Sequence, residues 1–452
     1  MTISTRPAPG PPRTYKFPRF ERSELFNGLQ IIVAPVRKLP VVTVLAVVDA
    51  GAVADPPNRE GLAQLTAEAL REGTANRDGI QILEGFEKLG SSLEAGADWD
   101  STVVSMTLLR DKLMTGLSLM AEVLTSPSFP EREIERLKAE RLAERAQILA
   151  EPRGLADESF SRFLYAKGSR YSEPMAGTAA SVSAITRADV SSFFDSRYKP
   201  DAVTMILVGD IGVEEAVELA SAALGGWEGK RVAVPRTSVQ EARRTRAVEI
   251  IAKDNAAQAE LRLGHIGIPR THPDYFPVVV MNALLGGLFS SRINLNLRER
   301  HGYTYGASSY FDWRREPGPF VIATAVQSEV SAAAVSETLK EIEGMRQEEV
   351  STEELSLATN YLEGVFPIRY ETTSAIASAL ANLVIFDLPE NFYDTYRENI
   401  RAVDPSDVLK AARAHVFPDR LQFVTVGDPA VVKEPLEKLK LGDLFVRPAM
   451  EA

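Results

Sequence analysis

The feature that most constrains the fold is an internal repeat, in which two distant stretches share one plan. Residues 193–212 read FFDSRYKPDAVTMILVGDIG, and residues 411–430 read AARAHVFPDRLQFVTVGDPA. Each stretch contains a helix end, a proline, an apolar β run and the tripeptide Val-Gly-Asp. Their offset of roughly 220 residues is far longer than the roughly 20–50 residues of a solenoid unit, so it indicates a duplicated domain.

The length of 452 residues agrees with two domains, because one hydrophobic core seldom serves so long a chain. We predict a flexible, Pro-rich N-terminal arm over 1–18, which lacks the apolar run of a signal peptide. An N-terminal domain is expected over 19–228. The polar, Pro-containing stretch 229–246 is the natural linker, and a C-terminal domain is expected over 247–445.

Within each half, β-rich apolar runs alternate with amphipathic helical segments. In the first half, the runs 29–36 and 40–51 predict strands, and a helix is expected from Arg59 with Asn58 as its N-cap. The second half repeats this order of segments. The predicted fold class is α+β, with two similar tandem domains, each a mostly antiparallel β-sheet with helices packed on one face.

The stretch GLAQLTAEALREGT, residues 61–74, reads as a helix with an unusual set of side chains on one face. Gln64, Ala67 and Glu68 stand at positions i, i+3 and i+4 and therefore share that face. Two ligands at i and i+4 can hold one zinc ion, and a carboxylate at i+3 can serve as a general base. An amide, a methyl group and a single carboxylate do not supply this chemistry.

Both halves together resemble the inverzincin peptidases of the pitrilysin, insulinase and mitochondrial-processing-peptidase type. The family helix reads Gly-Leu-Ala-His-x-x-Glu-His and ends in Gly-Thr. The resemblance therefore places Gln64 and Glu68 at the two histidine positions, Ala67 at the base and Glu144 at the third ligand. It implies a degenerate zinc motif and no cleavage by this chain alone. The two carboxylates Glu68 and Glu144 are too few for a hard cation.

A second stretch, GGLFSSRINLNLRERHGYTYG at 286–306, matches the family pattern that ends in Leu-Arg-Glu and Gly-x-x-Tyr. The resemblance implies that Arg298 and Tyr305 hold the carbonyl of a peptide substrate. Such donors stabilise the negative charge of a tetrahedral intermediate more than they stabilise the ground state. We expect Arg298 in the last turn of a helix that Gly302 ends. We expect Tyr305 to share one face of the following strand with Ala307.

The chain has no cysteine and only four histidines, which are His265, His272, His301 and His415. The lack of cysteine excludes disulfides, thiolate metal sites and a cysteine nucleophile. The histidines are expected to be packing, helix-end or surface residues, since none has a second ligand at metal spacing in the sequence. No metal or other cofactor is therefore expected in this chain, and the resemblance implies that zinc is held by a partner subunit.

The charge of the chain bears on its partners. A formal net charge of −11 and a pI of about 5.2 give no basic surface for nucleic acid or for an anionic membrane. The sequence also shows no apolar stretch of about 18 residues that favours a membrane span. The compartment stays open between the bacterial cytoplasm and the periplasm, because proteins of both can lack cysteine.

The resemblance implies a non-catalytic subunit of a heterodimeric zinc metallopeptidase. A homologous partner would carry the zinc and the base, Arg298 and Tyr305 would act in trans, and unfolded peptides would be the substrates. The strand near 89–100 would be a sheet edge that pairs with an extended peptide.

The alternative is a structural or peptide-binding scaffold, similar to the core proteins of the respiratory cytochrome complex. Such a protein would form a possible homodimer and would take no part in hydrolysis. A scaffold has no need for Arg298 and Tyr305 together, so this pair distinguishes the two hypotheses. An autonomous peptidase with another site is not supported, because the sequence contains no Gly-x-Ser-x-Gly motif and no cysteine.

Overall fold

The strands form two separate six-stranded sheets, one in each half of the chain. The computed structural model describes residues 14–234 and 237–449. Val-rich runs such as VVTVLAVV form central strands, because β-branched side chains suit a pleated surface that is buried on both faces. The two strands predicted near the start of the chain are both present and slightly shorter than predicted.

The first half contributes six strands and eight α-helices among the described residues. Its strands are β1 (Glu21–Glu24), β2 (Gln30–Pro35), β3 (Val41–Val48), β4 (Glu94–Ala97), β5 (Thr102–Leu109) and β6 (Val203–Gly209). Its helices are α1 (Leu62–Ala69), α2 (Gly79–Glu87), α3 (Leu113–Thr125), α4 (Glu131–Ala150), α5 (Pro152–Leu164), α6 (Ala179–Ala184), α7 (Arg187–Arg197) and α8 (Val213–Leu224).

The second half repeats these numbers within the described part of the chain. Its strands are β7 (Ala247–Ala252), β8 (Gln258–Ile266), β9 (Ala307–Phe311), β10 (Pro319–Gln327), β11 (Gln422–Gly427) and β12 (Asp443–Pro448). Its helices are α9 (Tyr275–Asn282), α10 (Arg292–Asn294), α11 (Ser331–Gln347), α12 (Thr352–Arg369), α13 (Thr373–Ile385), α14 (Phe392–Ala402), α15 (Pro405–His415) and α16 (Pro429–Lys438). A π-helical segment follows α9 over Ala283–Gly287, and another follows α10 over Leu295–Arg300.

The two sheets have equivalent strand orders, which confirms the duplication. The first order is β1-β2-β6-β3-β5-β4 and the second is β12-β7-β11-β8-β10-β9. Strands β6 and β11 stand third in each order, and each ends at the glycine of a Val-Gly-Asp tripeptide, Gly209 or Gly427. The β2–β6, β7–β11 and β7–β12 pairs are parallel and the other pairs are antiparallel. The predicted α+β fold with two similar tandem domains is therefore confirmed.

On each sheet there also packs one helix from the other half of the chain. Helix α13 of the second half packs on β3 and β6, and helix α5 of the first half packs on β8 and β11. The prediction placed helices on one face of each sheet, and the exchanged helices add a second cover. The physical reason is visible in β6, whose residues are all buried, so that both of its faces need apolar contact.

Close contacts hold this exchange in place. The ring of Phe160 on α5 lies against Gly264 of β8, where a β-carbon would be 2.9 Å from Cζ of the ring. On the other side, the hydroxyls of Thr43 on β3 and Thr373 on α13 are hydrogen bonded at 2.9 Å. The two halves are therefore interlocked, and neither sheet has its full apolar cover without the other half.

The start of the chain differs from the predicted arm. Residues 1–13 lie outside the described residues, whereas Tyr15 and Phe17 contact the second half. The hydroxyl of Tyr15 donates a hydrogen bond to the carbonyl of Tyr370 at 2.9 Å. The ring of Phe17 stacks on Tyr393 with centroids 4.8 Å apart. The predicted flexible arm over 1–18 is thus anchored from Tyr15 onward, because its aromatic side chains find apolar partners.

The chain passes from the first sheet to the second between the end of β6 at Gly209 and the start of β7 at Ala247. In its described part, the predicted linker 229–246 contains no helix or strand, and residues 235 and 236 lie outside that part. The last strand of the second sheet runs to Pro448, beyond the predicted domain end at 445, because it pairs with β7 along its whole length.

One helical stretch, Tyr275–Arg300, is long and apolar enough to cross a membrane by length and composition, and it is the single such helix in the described part. The sequence analysis predicted no apolar stretch of this length that favours a span. Half of its most apolar window is buried inside the protein, with Val278, Val280 and Met281 in the core. The core helix of a globular domain meets the same criterion, so this stretch is weak evidence for a span.

His265 lies in the core, and its burial predicts how the stability of the protein changes with pH. Its Nδ1 lies 2.9 Å from the carbonyl oxygen of Ile266, and its Nε2 accepts the N–H of Phe417 at 3.1 Å, which fits a neutral ring. Burial lowers the pKa of His265 to about 4. Because the folded pKa lies below the unfolded value, the stabilisation is complete above about pH 6.5 and is lost as the pH falls towards 4.

Between pH 7 and pH 4, the free energy of unfolding of the His265→Gln variant is therefore expected to fall less than that of the wild type. The expected difference is about 3 kcal/mol, since glutamine can keep both hydrogen bonds and takes up no proton. Denaturant unfolding at both pH values measures it. Parallel pH profiles for the two proteins would contradict the assignment of a buried neutral imidazole.

Candidate functional site

Helix α1, which carries Gln64, Ala67 and Glu68, is capped by a buried carboxylate that the sequence analysis missed. Asp55 accepts the backbone N–H groups of Gly61 and Ala63, both at 2.8 Å, and forms an ion pair with Arg170 at 2.9 Å. Burial raises the pKa of Asp55 to about 6, whereas Arg170 and the two amides favour the carboxylate. The predicted cap Asn58 is wrong, because Asn58 adopts a positive φ of 63° in the loop and α1 begins later than Arg59.

Arg141 of helix α4 lies between the two side chains that resemble ligand positions. Its Nη1 donates to Oε1 of Gln64 at 2.6 Å, and its Nη2 forms a close ion pair with the carboxylate of Glu68. The guanidinium is largely buried, with the Arg141 side chain 11% exposed. The amide of Gln64 also donates to the carbonyl of Ala97 at 3.3 Å. A side-chain cation of the chain itself therefore joins helices α1 and α4.

These residues do not fit a zinc ion. Ala67 is fully buried and offers no base. Glu144 is exposed and has no hydrogen bond or ion pair within the described residues. An incoming cation would meet an amide and one carboxylate that already bind the positive charge of Arg141, and like charges at such distances repel. Zinc in proteins is held by imidazole, thiolate and carboxylate ligands. This face of α1 offers only one carboxylate and no imidazole or thiolate.

The sequence analysis missed the role of Arg141. In helix α4 it assigned a site position only to Glu144. The available signal was the position of Arg141, one helical turn before Glu144 and thus close to the same face. Sequence spacing alone could not give the contact, because Arg141 and Glu68 are 73 residues apart.

Arg298 lies where the sequence predicted it. It belongs to the π-helical segment after α10, and the N–H of Gly302 donates to its carbonyl at 3.1 Å. Gly302 then reverses the chain with a positive φ of 65°, as expected of a residue that ends a helix. The Arg298 side chain is 36% exposed. Its guanidinium lies 4.6 Å from the ring centre of Phe289, and its Nε is 3.5 Å from a carboxylate oxygen of Glu299.

Tyr305 does not lie on the strand that was predicted for it. Strand β9 begins at Ala307, and Tyr305 stands in the preceding loop. The Oγ1 of Thr304 accepts the N–H of Gly306 at 3.0 Å, and this local turn delays the strand. Tyr305 is 91% exposed. No hydrogen bond joins Arg298 to Tyr305 within the described residues. Tyr305 faces solvent, and Arg298 is partly exposed and contacts Phe289 and Glu299.

A buried asparagine supports the loops around this pair. Asn294 accepts the backbone N–H of Ala307 at 3.0 Å and donates to the carbonyl of Phe289 at 2.7 Å. It therefore ties the turn that carries Phe289, next to Arg298, to the end of the loop that carries Tyr305. Asn294 is a positioning residue that the sequence analysis passed over, although it lies within the matched stretch.

The histidines are only partly as predicted. His301 lies near the surface, stacks on Tyr303 and is 3.7 Å from Glu337, as expected of a helix-end residue. The sequence shows no second ligand at metal spacing for any histidine, but the fold brings a possible ligand close to two of the others. His272 and His415 come together with Asp274, because the start of α9 packs against the end of α15.

Strand β4 is the last strand of the first sheet, as the resemblance implies for the segment near 89–100. One of its edges is therefore not paired within the sheet. Helix α1 packs against this strand. Helix α1 and the β4 edge of the sheet thus form one continuous surface.

Comparison with known proteins agrees with these features. The insulinase (peptidase family M16) model matches residues 32–178, and the peptidase M16 inactive domain model matches residues 184–362. Together the two matches cover well over half of the chain. The fold also matches the crystal structure of a peptidase M16 inactive domain from Pseudomonas fluorescens. The TM-score is 0.84 and the identity 27%, over 90% of this chain and 98% of that chain.

Two curated relatives extend the comparison. The non-peptidase homolog YmxG of Helicobacter pylori is 25% identical over 378 residues, which are 82% of this chain and 85% of that protein. A probable mitochondrial-processing peptidase subunit beta of Schizosaccharomyces pombe is 26% identical over 278 residues, 60% of each chain. With both halves matched and the fold shared over most of its length, this chain belongs to the peptidase M16, or insulinase, family, alongside homologues that are described as inactive or as non-peptidases.

Proposed function

We propose that this chain is the non-catalytic subunit of a heterodimeric zinc metallopeptidase. In this proposal a homologous partner provides the zinc and the base, and this chain provides Arg298 and Tyr305 to the same active site. The observation that carries the proposal is an asymmetry between the halves. The ligand-like face of α1 is filled by Arg141, whereas Arg298 and Tyr305 remain open to solvent.

The chemistry expected of the pair is the binding of a developing oxyanion. Arg298 carries a permanent positive charge, and Tyr305 offers a phenolic donor. As a peptide bond is cleaved in the assembled site, the carbonyl oxygen would become negative, and both donors would then bind it more strongly than they bind the substrate. The ring of Phe289 restricts the guanidinium of Arg298 on one side, which reduces the entropy lost on binding.

The substrate class follows from the sheet edge and from the kind of site. An unfolded peptide can add to the free edge of β4 through main-chain hydrogen bonds, which recognise extended backbone rather than sequence. Relatedness to a chain named as a subunit of a mitochondrial-processing peptidase supports pairing of two homologous chains. The partner proposed here is a homologue that keeps the zinc-binding helix.

The test is cleavage of a quenched fluorescent peptide library by this chain alone, by the zinc-motif homologue of the same genome alone, and by the mixture. We expect cleavage by the mixture well above the sum of the two separate chains, because only the mixture holds zinc, base and the Arg298–Tyr305 pair. Size-exclusion chromatography reports the assembly in parallel. Assembly without a gain in cleavage would favour the alternative, a structural or peptide-binding scaffold.

A further inference from the structure

Outside helix α1 and the Arg298–Tyr305 pair, three side chains of metal-binding type lie close together. His272 lies in the loop between β8 and α9, Asp274 directly precedes α9, and His415 is the last residue of α15. One possible ligand atom from each side chain lies within 4.8 Å of the other two. Oδ2 of Asp274 is 2.7 Å from Nε2 of His415, and the rings of His272 and His415 are perpendicular, with centroids 4.8 Å apart.

We propose that His272, Asp274 and His415 form a binding site for a divalent transition metal ion of the zinc class. Two imidazoles and one carboxylate are a donor set that suits such ions, and water completes the coordination. Ca²⁺ and Mg²⁺ prefer sites built from oxygen ligands, so they are poor candidates here.

The side chains can reach the required spacing. Ligand atoms around a tetrahedral zinc ion lie about 3.3 Å apart for bonds of about 2.0 Å. The widest pair must therefore close by up to about 1.5 Å, whereas the Asp274–His415 pair, now at 2.7 Å, must open by about 0.6 Å. Asp274 is 49% exposed and makes no side-chain cap to α9, so its carboxylate can move once its contact with His415 is exchanged. The His415 side chain is 10% exposed and is fixed by the packing of α15 on α9.

Metal binding exchanges two existing contacts. An ion bound through Nε2 of His415 takes the place of the hydrogen bond to Asp274, and the proton of the neutral ring is then carried on Nδ1. Nδ1 of His272 accepts the N–H of Asp274 at 3.1 Å, so a metal bound through this ring replaces that hydrogen bond, or the ring flips and binds through its other nitrogen. The bound ion would join the start of α9 to the end of α15, and α9 begins the helical stretch that leads to Arg298.

The test is Zn²⁺ binding to the tag-free protein, measured by competition with a chromophoric chelator and by the visible absorption of bound Co²⁺. The chain is well suited to this experiment, because it has no cysteine and only four histidines. We expect one Zn²⁺ per chain, weakened at least about tenfold by Asp274→Asn and by His415→Gln, since each removes a ligand. The matched control His301→Gln removes a histidine beside Glu337 and should leave binding unchanged.

A second readout separates binding from misfolding. Zn²⁺ is expected to raise the Tm of the wild type and of His301→Gln, but not of the two ligand variants, because an ion that binds only the folded state stabilises it. Circular dichroism without metal checks that the variants fold. Wild-type protein without saturable Zn²⁺ binding, or binding that both ligand variants retain, would overturn the proposal.

Discussion

A chain carrying Gln64→His and Glu68→His is expected to bind zinc only when Arg141→Ala is added. Arg141 donates to both positions in the present structure, so its charge would remain beside the two new imidazoles. Two unit charges 4 Å apart at an effective dielectric constant of about 20 interact by about 4 kcal/mol. That energy corresponds to roughly a thousandfold in affinity. Zinc competition with a chelator measures the difference between the double and the triple variant.

Two controls sharpen this result. Ala67 is left unchanged, because it is fully buried and a glutamate there would add an unrelated desolvation cost. Adding Glu144→Gln to the triple variant tests whether Glu144 serves as the third ligand that the resemblance implies. The proposed histidine site elsewhere in the chain is silenced by His415→Gln in every sample. Equal zinc affinity with and without Arg141 would show that this arginine does not block the site.

In the proposed heterodimer, Arg298→Ala is expected to lower kcat by about 10²–10³, the usual cost of losing one oxyanion donor. Tyr305→Phe is expected to act in the same direction, and the double variant should cost less than the product of the two, since both donors serve one oxygen. KM should change less than kcat, because the donors bind the transition state more strongly than the substrate. Steady-state kinetics with a single fluorogenic peptide measure both constants.

The chain itself offers matched controls for these variants. Arg300→Ala removes an exposed arginine from the same helix end, and Tyr303→Phe removes a phenol from the same loop. Both should leave kcat close to wild type, and all variants should assemble equally by size-exclusion chromatography. Full activity of the Arg298 and Tyr305 variants in an active assembly would limit this chain to a supporting role and leave the partner to complete its own site.

The corrections to the sequence analysis have a common cause. Asn58 looked like a helix cap because it lies just before the helical pattern, yet the cap is the buried Asp55, fixed by Arg170 from more than a hundred positions away in sequence. Tyr305 looked like a strand residue because alternation continues from Tyr303 to Ala307, but the turn at Thr304 interrupts it. Local patterns give element type well and give element ends poorly, because ends depend on which neighbours supply hydrogen bonds.

The sequence by itself determined the duplicated α+β plan, the sharing of one helix face by Gln64, Ala67 and Glu68, and the placement of Arg298 at a helix end. These features are encoded in periodicity, turn residues and short motifs, which act over a few residues. The tertiary structure alone decided the exchange of α5 and α13, the bridge from Arg141 to α1 and the meeting of Asp274 with His415. Those contacts join residues as far as 330 positions apart, and such pairs are chosen by the burial of whole helix and sheet faces, which no local pattern specifies.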